Sequence, residues 1–223
     1  MLMPNVDITT VEPLLTTCSQ YPNSCLPMMG LHPTSVDENY KEHLDVILKI
    51  ATQYNFIAIG EIGLDLYWDK SRIDDQIASF RAQIEWAIEY DLPIVIHSRD
   101  SFTQLYEVMS HYRDCGLRGV FHCFSGSADE AAALMEFSGF MFGIGGVLTY
   151  KKSTLPAVLP LIPMERVVLE TDCPYLSPVP YRGKRNEPSY IVSTAAVMAQ
   201  VYGCTVDQVA EKTNLNARRL FRL

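Results

Sequence analysis

Four short stretches of the chain are continuously apolar: residues 56–60, 93–96, 119–121 and 167–169. They are rich in β-branched and aromatic residues and do not alternate with polar positions, which predicts parallel strands covered on both faces. Between them the apolar positions fall at helical spacing. Tyr40, Leu44, Ile47, Leu48 and Ala51 form one stripe, and Ile73, Ile77, Phe80, Ile84, Ala87 and Ile88 form another. Ser127 with Glu130, and Thr205 with Gln208, have the spacing of helix-starting capping boxes. A repeated strand-then-helix order predicts an α/β fold, either a closed barrel or a doubly wound sheet. No G-x-G-x-x-G opens a helix after a strand, and Gly143-Ile144-Gly145-Gly146 has the wrong spacing for one, so a dinucleotide fold has little support. No linker, charge block or compositional break divides the chain, which predicts a single βα domain over residues 1–223.

Composition narrows the function. At 48% hydrophobic residues and without low-complexity tracts, the 223 residues have ample material for a core, and disorder is excluded. Eighteen Lys and Arg against 26 Asp and Glu leave a net charge of -8, so bulk electrostatics repels nucleic acid. A phosphate-bearing partner therefore needs a local cationic patch or metal ions. The six cysteines (Cys18, Cys25, Cys115, Cys123, Cys173, Cys204) are scattered and form no C-x-x-C pair, as expected of reduced thiols. No apolar run approaches the roughly 20 residues of a membrane span, and the N-terminus lacks signal-peptide character. The expectation is a soluble cytoplasmic protein that uses no membrane and calls for no obligate protein partner.

The informative residues stand where the apolar runs end. The runs close on His32, Glu61, His97, His122 and Glu170-Thr171-Asp172, with roughly one βα unit between successive members of the first four. In a βα barrel all C-terminal strand ends open onto one mouth, so these residues converge. Imidazoles with carboxylates suit Zn²⁺, Mn²⁺ or Fe²⁺, and carboxylates and imidazoles at strand ends are costly to bury unpaired. His43 and His111 fall within amphipathic helical segments and read as solvated surface residues.

Four blocks make the chain recognisable: Gly60-Glu61-Ile62-Gly63-Leu64-Asp65, Pro93-Ile94-Val95-Ile96-His97-Ser98-Arg99, Phe121-His122-Cys123-Phe124-Ser125-Gly126 and Glu170-Thr171-Asp172-Cys173-Pro174-Tyr175-Leu176. Together with Gly30-Leu31-His32-Pro33, the stretch from Pro178 to Pro188 and Asn216-Ala217-Arg218-Arg219-Leu220-Phe221, they resemble the signature blocks of the TatD-related DNase family, in order along the whole chain. The resemblance implies a TIM-type (β/α) barrel of the amidohydrolase class that hydrolyses DNA phosphodiesters, at single strands or chain ends, with two divalent ions (Mg²⁺, Mn²⁺ or Zn²⁺). Carried over, Glu61 bridges the ions, His97 and His122 complete the second ion's ligands, Asp172 holds the first and orients or deprotonates water, and His32 contacts the scissile phosphate. Arg99, Arg182, Lys184 and Arg185 are the local cations such a substrate needs, with an ordinary solvated charge run as the alternative for Lys184 and Arg185. Tyr67, Trp68, Tyr175 and Tyr181 fall in loops at the expected mouth, where packing against the rim is the commoner use and stacking on unpaired bases the alternative. Cys123 and Cys173 match the blocks as spacers.

One departure stands out. The family begins with a strand ending in His-x-His, which supplies two ligands to the first ion, and this chain contains no His-x-His. A (β/α)₈ barrel typically takes about 250 residues, so the first βα unit is expected to be missing, by truncation of a longer enzyme rather than as a natural short form. Two further readings stay open: a hydrolase of another ester, such as a small phosphodiester or an aminoacyl ester, and a catalytically impaired remnant. A lysine-bridged amidohydrolase is disfavoured because Glu61 occupies the expected bridging position.

Overall fold

The computed structural model describes residues 1–223, which form two compact units, Met1–Gly119 and Val120–Leu223. The first unit begins with β1 (Leu2–Pro4), α1 (Val11–Gln20), β2 (Leu26–Met28) and α2 (Tyr40–Ala51). It continues with β3 (Ile59–Asp65), α3 (Ile73–Glu89), β4 (Ile94–Arg99) and α4 (Phe102–Ser110). β1 and β2 pair in parallel with Leu2 opposite Leu26, and β3 and β4 pair in parallel with Gly63 opposite His97 and Asp65 opposite Arg99. A bridge between Met29 and Ile59 joins the end of β2 to the start of β3. All seven residues of β3 are buried, as anticipated for a strand covered on both faces.

The predicted helical stripes provide the cover. Leu44 and Ile47 of α2 pack with Val11, Leu14 and Met29 in one cluster. Phe80 and Ile84 of α3 are fully buried. The α3 stripe also contains two polar positions, Gln76 and Gln83, buried at 3% and 1% exposure. Leaving such amides unpaired would cost about 1–3 kcal/mol each. Both instead grip backbone at the end of a strand or apolar run, which places them among the determinants of the site.

The second unit contains α5 (Ala128–Leu134), β6 (Phe140–Ile144), α6 (Leu155–Val158), β7 (Val167–Leu169), α7 (Ile191–Tyr202) and α8 (Val206–Phe221); β5 (Gly119–Phe121) spans the junction of the units. β6 and β7 pair in parallel, with Gly143 opposite Val168. Phe121 stacks on Phe140 at 5.0 Å, and Phe124 meets Phe142 edge-on at 5.0 Å. Both expected capping boxes are formed, at Ser127 with Glu130 and at Thr205 with Gln208.

Three local expectations change. β3 runs on through Asp65 rather than ending at Gly60. β6 has no counterpart among the predicted strands: its short apolar signal, Phe140-Met141-Phe142, runs straight into the glycines of Gly143-Ile144-Gly145-Gly146. His43 sits on α2 with its side chain only 22% exposed and Nδ1 3.6 Å from Asp37 Oδ1, so it is partly buried rather than solvated. Tyr40 and Leu44, on the same helix, are buried, so this part of α2 lies against the core. His111 is exposed, at the C-terminal end of α4.

Candidate metal centre

In the first unit, three donors approach one another: His32 after β2, Glu61 within β3 and His97 within β4, with one ligand atom of each lying within 4.8 Å of the others. His97 Nδ1 lies 3.1 Å from Glu61 Oε1, and His32 Nε2 lies 3.8 Å from the same oxygen. The two rings meet edge-on, 4.5 Å apart. Local structure aims each ring. His32 Nδ1 is 2.7 Å from Thr34 Oγ1 and also accepts the Thr34 N–H, so Nε2 is the atom turned to Glu61. His97 Nε2 is 2.9 Å from Asp65 Oδ2, which leaves Nδ1 for the cluster.

The support under these residues comes from α3. Gln83 accepts the Leu31 N–H at 2.7 Å and donates to the Leu31 carbonyl at 3.2 Å, fixing the backbone that enters His32. Gln76 does the same to Asp65, at 2.9 and 3.1 Å. Gly63, with φ +136°, allows the strands to touch where a Cβ would overlap the His97 carbonyl oxygen.

Electrostatics follows from that packing. Burial pulls the His97 imidazole down, but hydrogen bonds to Asp65 and Glu61 and their charges outweigh it, so its pKa is raised above 6.5. Burial pushes Asp65 up, yet the hydrogen bonds from His97, Tyr67 and Trp68 hold its carboxyl below 3.8.

The second unit gathers His122, Cys123 and Asp172, again with one ligand atom of each within 4.8 Å of the others. His122 Nδ1 is 2.8 Å from Glu170 Oε2, and Nε2 is 3.3 Å from Asp172 Oδ1. Glu170 also accepts the Cys123 N–H. Gly143 makes room for this carboxylate, since a Cβ there would overlap Glu170 Oε2. Cys123 and Asp172 both adopt left-handed backbone conformations, φ 46° and 54°, a strained choice common at functional turns. Burial raises the Cys123 thiol well above its usual range. Asn186, 2% exposed, donates to the Thr171 and Tyr175 carbonyls at 2.6 Å each and so cinches the loop carrying Asp172.

The chemistry of these donors fits divalent cations. Each histidine has one nitrogen held by a carboxylate or hydroxyl and the other turned to the cluster, the carboxylate–histidine arrangement typical of metal ligands. His97 faces a carboxylate from each ring nitrogen, Glu61 from Nδ1 and Asp65 from Nε2.

The predicted cations and aromatics lie nearby in sequence but take different roles. The Arg99 guanidinium lies 3.6 Å from the Tyr67 ring centroid, and that of Arg182 lies 4.0 Å from Tyr150. Lys184 and Arg185 are exposed. Tyr181 stacks on Tyr190 at 3.8 Å, whereas Trp68 and Tyr175 stay 72% and 69% exposed and so do not pack against the rim. Sequence reasoning gave no role to Asp65, Gln76, Gln83 or Asn186. For the two glutamines a signal existed, because both interrupt the apolar stripe of α3.

Comparison with known proteins agrees with this geometry. The TatD-related DNase profile matches residues 1–222. YabD, an uncharacterized metal-dependent hydrolase of Bacillus subtilis, is 40% identical over 196 residues, covering 87% of this chain and 76% of YabD. The 3'-5' ssDNA/RNA exonuclease TatD of Erwinia amylovora is 31% identical over 229 residues, covering 100% of this chain and 88% of the relative. The crystal structure of the TatD homologue YjjV from Escherichia coli superposes with a TM-score of 0.89 at 28% identity, covering 100% of this chain and 86% of YjjV. With an α/β fold matching TatD structures, a TIM-barrel family, and a family profile spanning nearly every residue, the chain belongs to the TatD-related DNase family of metal-dependent hydrolases.

Proposed function

We propose that the chain hydrolyses phosphodiester bonds of single-stranded DNA or RNA from chain ends, with divalent ions held by Glu61 and His97 in the first unit and by His122 and Asp172 in the second. The observation that carries this reading is the twice-built carboxylate–histidine pair, His97 on Asp65 and His122 on Glu170, each beside further metal-ligating atoms. The Erwinia amylovora relative, a 3'-5' ssDNA/RNA exonuclease, supports the substrate class.

Divalent ions, when bound, supply a lowered pKa for water and neutralise phosphate charge. The chain's own residues supply position and proton transfer. The Asp172 carboxylate orients the attacking water and accepts its proton. His32, its Nδ1 occupied by Thr34, keeps Nε2 beside Glu61 as the donor for a phosphate oxygen brought to the cluster. Arg182, ordered against Tyr150, and the exposed Lys184 and Arg185 offset the phosphate charge that an acidic protein would otherwise repel.

The test is an end-labelled single strand incubated with the chain and Mg²⁺, Mn²⁺ or Zn²⁺. Stepwise shortening is expected. Intact DNA and RNA under all three metals, in a buffer where a control nuclease cuts, would sink the proposal. Faster turnover of an aminoacyl ester than of any nucleic acid would replace it with the ester-hydrolase reading.

A further inference from the structure

Outside the metal-ligating atoms lies one group of side chains that the reaction does not use. Tyr67 and Trp68 follow β3 directly and are 52% and 72% exposed, among the most exposed large apolar side chains of the chain. Their rings meet edge to face, 4.9 Å apart at 89°. The Arg99 guanidinium lies 3.6 Å from the Tyr67 centroid and 5.5 Å from that of Trp68, so its contacts are with rings rather than with a carboxylate.

This group is ordered by the same residue that orders the metal centre. Asp65 Oδ2 faces His97 Nε2 at 2.9 Å, while Oδ1 accepts the Tyr67 and Trp68 N–H groups at 3.0 and 3.4 Å. Strand register places Asp65 opposite Arg99, and the Leu66 N–H closes the turn on the Arg99 carbonyl at 2.9 Å. One buried carboxylate thus holds a histidine of the centre with one oxygen and an aromatic turn with the other.

We infer that Trp68, Tyr67 and Arg99 form a subsite for an unpaired nucleobase and its adjoining phosphate, the base stacking on the Trp68 indole and the phosphate meeting the Arg99 fork. An exposed indole has a wide face for a base of any identity. Arg99, already ordered over Tyr67, keeps the planar donors that match phosphate oxygens. A base in a duplex cannot present its face in this way, so the subsite selects single strands. The inference rests on the nucleic-acid reading above and specifies how that site chooses its substrate.

The test uses the intact chain carrying Trp86→Phe, which leaves Trp68 as the single tryptophan. A short oligothymidylate is titrated against the metal-free protein, and an abasic deoxyribose-phosphate strand of equal length serves as the comparison. Oligothymidylate should quench Trp68 emission and the abasic strand should not. By anisotropy of a labelled strand, Trp68→Ala should weaken binding by about 5- to 150-fold, and Trp68→Phe by much less. Arg99→Gln should reduce the slope of log affinity against log salt by about one. Binding by Trp68→Ala within about twofold of the parent, or equal affinity for the abasic strand, overturns the subsite. A protein that shows base-dependent quenching but cuts no strand under any metal supports the subsite and removes the proposed activity, so the two failures are distinct.

Discussion

The two units solve the same problem with different backbones. In the first, both donors lie within long paired strands: Glu61 at an irregularity of β3 between Ile59 and Ile62, and His97 in the paired stretch of β4 opposite Gly63. In the second, Cys123 and Asp172 lie beyond short strands, in turns whose left-handed conformations direct the side chains. Support differs accordingly. Buried glutamines from α3 hold the first cluster's backbone, whereas the second depends on Glu170 and on the loop cinched by Asn186. Both converge on a histidine gripped by a buried or half-buried carboxylate. The shared feature is therefore electronic, and the backbone route to it is free to vary.

The comparison can be broken at several points. The largest effect is expected at Asp172, where Asn keeps the shape but cannot accept a proton. Turnover of an end-labelled strand should fall by about 10²–10⁴-fold while strand binding stays near that of the parent. Near-normal turnover would remove Asp172 from water activation.

The carboxylates behind the histidines come next. Asp65→Asn and Glu170→Gln should each weaken metal binding by about 10–100-fold, as read by calorimetry of the chain with Mn²⁺ or Zn²⁺. Loss at one position without loss at the other would show that only that unit holds an ion, and the parallel drawn above would fail.

A third contrast concerns stability. Gln83→Ala strands both polar groups of Leu31 and should lower the unfolding free energy by about 1–3 kcal/mol, measured in urea. Ser127→Ala, which removes only a helix cap of the second unit, should cost about 1 kcal/mol. A reversed order would mean that the Gln83 bonds do not carry the first unit's strand end.

The smallest effect is in pH. The raised His97 pKa means that its contribution to metal-free stability is fully present below about 6.5 and is lost as pH rises through the raised value. The lowered Asp65 pKa means that its contribution is present above 3.8 and is lost as pH falls through the lowered value. The thermal midpoint of the metal-free chain should therefore decline as pH rises from about 6.5 through the raised value, and Asp65→Asn should flatten that decline. A parallel curve in the variant would show that the pair does not set the titration.

Much of the architecture was legible because hydrophobic periodicity is a local property. The stripes of α2 and α3 and the continuous runs at residues 94–96, 119–121 and 167–169 follow from covering both faces of parallel strands. His32, Glu61, His97, His122 and Asp172 were equally visible as polar residues closing apolar runs, although Glu61 and His97 lie inside β3 and β4 rather than at their ends. β6 escaped because its short aromatic strand signal runs directly into a glycine cluster.

What the sequence by itself determined is thus the alternation of strand and helix, the set of candidate donors and the family to which they belong. Tertiary structure decided which donors meet, which nitrogen of each histidine faces the cluster, and which side chains hold them there. It also showed that Trp68 stays exposed and that Arg99 lies over Tyr67. The reason is physical: burial of apolar stripes is encoded residue by residue, whereas the meeting of Gln83 with Leu31, or of Glu170 with His122, depends on register across 52 and 48 positions of chain. No local pattern carries that register.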